Sequence, residues 1–159
     1  MTPHAHAPIA PFISAQRVIL LAPAPGQPRD LLRELIGVLA AEELVTDPEL
    51  FLGDVERREA QVTTVMDNGV AFPHARSHAV RRLGLSLAIV AEPGLRFDPE
   101  SEVRSRLFFC LAVPSLAPTA HIPLLQALAR FARDPKRVEK LLSSRTPGTA
   151  ARYLAAFKG

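Results

Sequence analysis

Tryptophan is absent from this chain of 159 residues, tyrosine occurs once and aromatics reach only 6%. Together with a net charge of only +3 and basic residues that form no tract, this excludes a nucleic-acid surface. Cysteine is as scarce: the single Cys110 cannot close an internal disulfide, so a cytoplasmic setting is expected. Long apolar runs are missing too. Nothing approaches the roughly 18–20 residues of a membrane span, so no direct membrane insertion is expected. The N-terminus has no basic stretch leading into an apolar core, and no signal peptide is read there.

What remains is the composition of one globular domain, 48% hydrophobic and 22% charged. Residues 1–15, rich in Pro and Ala, are expected to form a flexible leader, with the domain over 16–159. Arg17–Ala22 reads as a first strand ended by Pro23 and Pro25. Leu31, Leu32, Leu35, Ile36 and Leu39 recur at helical spacing, which predicts a helix over about 28–43. Thr46-Asp47-Pro48 is a helix start, and its helix should carry Leu50, Phe51 and Val55 inward and end near Arg57-Arg58-Glu59.

Three apolar segments of strand length follow, Val70–Phe72, Leu83–Val90 and Leu107–Val113, the last two nearly uninterrupted and so expected to be covered on both faces. From Thr119 a helical stripe of Leu124, Leu125, Leu128 and Phe131 begins, and Asp134-Pro135 and Thr146-Pro147 open two short helices. The expectation is a single α/β or α+β domain, a central sheet layered by helices.

The chemistry concentrates in Gly69-Val-Ala-Phe-Pro-His74-Ala-Arg76. An imidazole titrates near neutrality and is nucleophilic when neutral, and a guanidinium two residues on suits phosphate oxygens. Alone, a histidine after a strand is more often structural. The surrounding order is more specific: Arg58-Glu59, Thr63-Thr64, Asn68 to Arg76, Gly94-Leu-Arg-Phe97, the strand to Pro114, then His121-Ile122 opening a leucine-rich helix.

That ordered set, over residues 16 to 157, resembles the fructose/mannitol/nitrogen-regulatory (type 2) enzyme IIA domains of the bacterial sugar phosphotransferase system. The resemblance implies a mixed central β-sheet sandwiched between α-helices, with the site in a shallow cleft at strand ends. It implies that His74 accepts a phosphoryl group through Nε2 from an HPr-like phosphocarrier and passes it to an enzyme IIB domain. Arg58 and His121 match the family's active-site arginine and second histidine. Glu59 could pair with an arginine, and Thr63, Thr64 and Arg76 are candidate phosphate contacts. His121 falls in the first turn of its helix, where the dipole favours a neutral ring.

Such transfer from a phosphoramidate needs no cofactor, metal or nucleotide. His74, His78 and His121 could in principle hold zinc, but Pro73 argues against a helical His74–His78 pair. His4 and His6 lie in the leader and are read as inert, and Cys110 as a small core residue. The alternative output is regulatory, phosphorylation-dependent binding to a target protein. Arg76, Arg81 and Arg82 follow His74 closely. Either acidic residues such as Asp54, Glu56 and Glu59 frame the site, or its donor departs from the usual basic kind.

Overall fold

The computed structural model describes residues 7–159, so His4 and His6 lie outside the described residues. Among the described residues, four consecutive strands lie between a leading strand with two α-helices and a closing run of three α-helices. β1 (Val18–Leu21) precedes α1 (Pro28–Ala41) and α2 (Pro48–Gln61). Then come β2 (Val70–Ala71), β3 (His74–Ser77), β4 (Gly84–Val90) and β5 (Leu107–Pro114), followed by α3 (Ile122–Ala132), α4 (Pro135–Leu142) and α5 (Pro147–Ala155). No helix among them is long and apolar enough to cross a membrane.

The sheet runs β1-β4-β5, with β2 and β3 sharing the far side of β5. β4 and β5 are antiparallel, while β1 on β4 and β2 and β3 on β5 are parallel. The sheet is therefore mixed, as expected. β4 and all but the last residue of β5 are buried, and their side chains alternate between two cores. Leu85, Leu87, Ile89, Leu107, Phe109 and Leu111 face α3–α5, whereas Ala88, Val90, Phe108, Cys110 and Ala112 face α1 and α2. Burial pushes the Cys110 thiol up to about 12, which makes it an inert core residue.

Helix starts follow local chemistry. The side chains of Asp47, Asp134 and Thr146 each accept a first-turn backbone N–H, and a proline occupies the next position in all three. Four expectations need correction. Residues 9–13 are not leader: Ile9 and Ile13 are buried in the core shared with α3–α5, an anchoring that the Pro and Ala content concealed. Leu50 is 44% exposed, and Leu52 takes the inward place beside Phe51 and Val55. The strand that was expected to stop at Phe72 resumes at His74, in unchanged register against β5. Pro73 lacks a ladder donor, but its carbonyl still accepts from Leu111 N at 3.1 Å. Finally, α3 begins at Ile122, so His121 is its N-cap residue rather than part of its first turn.

Candidate functional site

α2 supplies one wall of a cleft. Its buried face is Phe51, Leu52 and Val55, which leaves Asp54, Arg57, Arg58 and Gln61 at i, i+3, i+4 and i+7 along one polar stripe. β3 supplies the floor. Ala75 and Ser77 point into the protein, so His74 and Arg76, on the alternate side, point out. The N-terminus of α3 closes the third side with His121. Together Asp54, Arg57, Arg58, Gln61, His74, Ala75, Arg76 and His121 line a cleft of about 280 Å³.

Inside it the two imidazoles lie tilted, ring centroids 5.6 Å apart. His74 Nδ1 is 2.8 Å from the Phe72 carbonyl oxygen, which can only accept, so Nδ1 carries the proton and Nε2 keeps its lone pair. His121 is buried and its Nδ1 has no hydrogen-bond partner among the described residues. An orphaned N–H is the costlier form, which favours the proton on Nε2 and a bare Nδ1. The two rings thus have opposite roles available, an acceptor lone pair on one and a donor on the other.

Both rings are held below the ordinary imidazole range. For His74 burial is the main cause; the Phe72 carbonyl opposes it, and Arg58 adds to it. For His121 burial again leads, followed by His74 and Arg76. The cleft is basic: three guanidiniums line it with a single carboxylate, Asp54, which is held in an ion pair with Arg57. A neutral, nucleophilic nitrogen set among cations, at the positive end of a helix, is chemistry suited to a phosphoryl group.

The residues singled out in the sequence fall into two groups. His74, His121, Arg58 and Arg76 meet in the cleft; Arg58 Nη1 donates to the Val62 carbonyl at 2.9 Å, within side-chain reach of the site. Thr63 and Thr64 do not line it. Both hydroxyls donate to the Glu59 carboxylate at 2.8 Å, so Glu59 is bonded to threonines rather than to an arginine. Of the three acids expected to frame the site, Asp54 does so, Glu56 pairs with Arg29, and Glu59 turns away to its threonines.

Arg81 and Arg82 are exposed and outside the cleft. His78 follows β3 in a turn, its Nδ1 2.9 Å from Ser115 Oγ, and it does not line the cleft with the other two histidines. A larger groove of about 590 Å³ lies between α1, the end of α2 and the turn at 97–100. It holds no histidine, whereas the smaller cleft holds two. Arg57 and Gln61 escaped the sequence reading, although their spacing from Asp54 marks them as neighbours of Arg58.

The description of the matching family reads "Phosphoenolpyruvate-dependent sugar phosphotransferase system, EIIA 2", and the match spans residues 12–156. A fructose-specific EIIA component of Haloferax volcanii is 28% identical over 143 residues, 90% of this chain and 92% of that protein. The nitrogen regulatory protein of Escherichia coli K12 is 25% identical over 113 residues, 71% of this chain and 69% of the relative. Among solved structures, the complex of enzyme IIAMTL and phosphorylated enzyme IIBMTL from Escherichia coli aligns with a TM-score of 0.74 and 22% identity. That alignment covers 90% of this chain and 96% of the other, and it shows the shared fold.

Proposed function

Because the chain belongs to the EIIA 2 family of the phosphoenolpyruvate-dependent sugar phosphotransferase system, we propose that it carries a phosphoryl group on His74 Nε2. The observation that carries this reading is the 2.8 Å bond from His74 Nδ1 to the Phe72 carbonyl, which leaves Nε2 free to attack. The donor is an HPr-like phosphohistidine. As the Nε2–P bond forms, the P–N bond of the donor breaks and its electron pair returns to the donor imidazole; no proton has to leave Nε2. The phosphorylated ring gains positive charge, which the Phe72 carbonyl stabilises.

Arg58 swings from the Val62 carbonyl to the equatorial oxygens, Arg76 adds charge, and His121 donates from Nε2. Three guanidiniums against one carboxylate leave the cleft positive, and the roughly two negative charges of a phosphoryl group balance it. No metal or cofactor enters the step. The acceptor is an enzyme IIB domain, as in the mannitol pair. A cytoplasmic location suits a lone buried thiol.

A regulatory output is the second reading, favoured by the nitrogen regulatory relative; phosphorylation would then set affinity for a target protein. Incubation with phosphoenolpyruvate, enzyme I and HPr followed by intact-mass measurement tests the shared chemistry. One added phosphoryl group, lost in His74→Ala, is expected. An unchanged mass with every HPr tried would sink the carrier reading.

A further inference from the structure

Phe72 occupies the break between β2 and β3, on the open edge of the sheet. Pro73 turns its carbonyl toward Leu111 of β5, so Phe72, one residue earlier, turns both its N–H and its C=O away from β5. No neighbouring strand is there to satisfy them. Phe72 is nevertheless 5% exposed, and a buried backbone group needs a partner.

Two side chains provide one each. Phe72 N–H donates to Thr64 Oγ1 at 3.1 Å, and the Phe72 carbonyl receives His74 Nδ1–H at 2.8 Å. The Thr64 hydroxyl has a single proton and already accepts from an N–H, so that proton goes to Glu59 Oε1, 2.8 Å away. Glu59 is pinned in turn by Thr64 N at 2.7 Å and Thr63 Oγ1 at 2.8 Å on its other oxygen. The direction of every bond from Glu59 through Thr64 and Phe72 to His74 is therefore fixed.

We propose that Thr64, anchored by Glu59, is a positioning residue that sets the Phe72 backbone and, through its carbonyl, the tautomer and aim of the His74 ring. The proposal rests on the reading of His74 as the phosphoryl acceptor. Thr64 Oγ1 bonds Glu59 and the Phe72 N–H rather than the ring, and Thr64 does not line the cleft. If Phe72 drifts, Nδ1–H loses its acceptor, and the proton can move to Nε2, where it occupies the lone pair that attacks phosphorus. The bond between Thr64 and Phe72 thus protects nucleophilicity from two residues before the nucleophile.

The test compares the full chain with Thr64→Val and Thr64→Ser by three measurements. Nitrogen-15 NMR reads the His74 tautomer. Intact mass follows phosphorylation by phosphoramidate, a small donor that needs no protein partner and releases ammonia as its P–N bond breaks. Urea unfolding reads stability.

Thr64→Ser should keep the Nδ1–H tautomer and a rate within about twofold, while Thr64→Val should react about tenfold or more slowly per folded molecule. Its His74 signals should also move toward the Nε2–H form, a change that a purely structural role would not produce. Wild-type tautomer and rate in Thr64→Val, whatever its stability, would overturn the proposal. Should Thr64→Val not fold, Glu59→Gln takes its place, with the same tautomer shift expected and an unchanged tautomer and rate overturning the proposal. Were wild-type His74 to stay unphosphorylated by phosphoramidate and by phospho-HPr alike, the carrier reading would fall, and the tautomer comparison would still decide the role of Thr64.

Discussion

Replacing Gly69 by alanine should destabilise the protein by about 2–4 kcal/mol, and the geometry supplies both parts of that figure. Gly69 closes a turn in which its N–H donates to the Met66 carbonyl at 2.9 Å, and it does so at φ +83°. An L side chain held there costs about 1 kcal/mol in backbone strain alone. A Cβ at this position would also stand 2.9 Å from the Arg104 carbonyl oxygen, a backbone atom that cannot rotate aside. Relieving that overlap by moving main chain adds about 1–3 kcal/mol.

Gly37 is the internal control. It lies exposed within α1, where an added Cβ would meet nothing within 4 Å, so Gly37→Ala should stabilise by about 0.5–1 kcal/mol. Urea unfolding at constant slope measures both, and the loss at Gly69 should appear as a lower midpoint with an unchanged m-value. A Gly69→Ala protein within about 0.5 kcal/mol of wild type would refute the reasoning, since that is the ordinary scatter of neutral surface changes.

Three further outcomes follow from the cleft. In an NMR titration both rings should show midpoints below the ordinary imidazole value of about 6.5, burial being the main cause for each; a midpoint at or above it would contradict the burial argument. The same depression has a sign for stability. The unfolded chain takes up protons that the folded rings refuse, so this contribution is full above about pH 6.5. It drains as pH falls through the window down to the folded values; in that window His121→Gln should flatten the slope of stability against pH, and an unchanged slope would argue against it. Arg58→Lys should lower the phosphorylation rate about tenfold while unfolding stays unchanged, because a lysine cannot offer the paired donors; an unaffected rate would remove Arg58 from the site.

What the sequence disclosed was what local chemistry controls. A capping side chain and a following proline act within one turn, so the starts of α2, α4 and α5 could be placed before any tertiary contact was known. The unbroken apolar runs of β4 and β5 likewise announced burial on both faces. The segment carrying His74 was legible because its residues are contiguous, and Arg58 and His121 because an ordered pattern linked them. Side-chain direction was not. Whether Thr64 faces a phosphate or Glu59 depends on where the end of α2 lies relative to the sheet edge, which no spacing encodes. The burial of Ile9 and Ile13 depends on α3–α5 from the far end of the chain. Pro73 misled for a related reason: it ends a ladder locally, yet β5 holds register on both sides of it.

The location of the proposed nucleophile also has a physical reason. A histidine whose Nε2 must stay bare needs a backbone carbonyl to spare for Nδ1, and in the centre of a sheet both neighbours compete for carbonyls. β4 and β5 are such strands, each paired on two sides and buried. An edge strand offers carbonyls in plenty, but open to water, where an imidazole would be solvated and would titrate near its ordinary value. The break at Phe72-Pro73 lies between these cases. It sits on the edge, so the Phe72 carbonyl is free of the ladder; yet Phe72 and Pro73 are buried, and His74 is half-buried against α2 and α3. Continuous pairing on the edge would still leave the carbonyl outward, but nothing in it would fold Thr64 and Glu59 against the neighbouring Phe72 N–H. It is the turn at Met66–Gly69 that brings them there, and this is why a glycine five residues away belongs to the same device as the histidine.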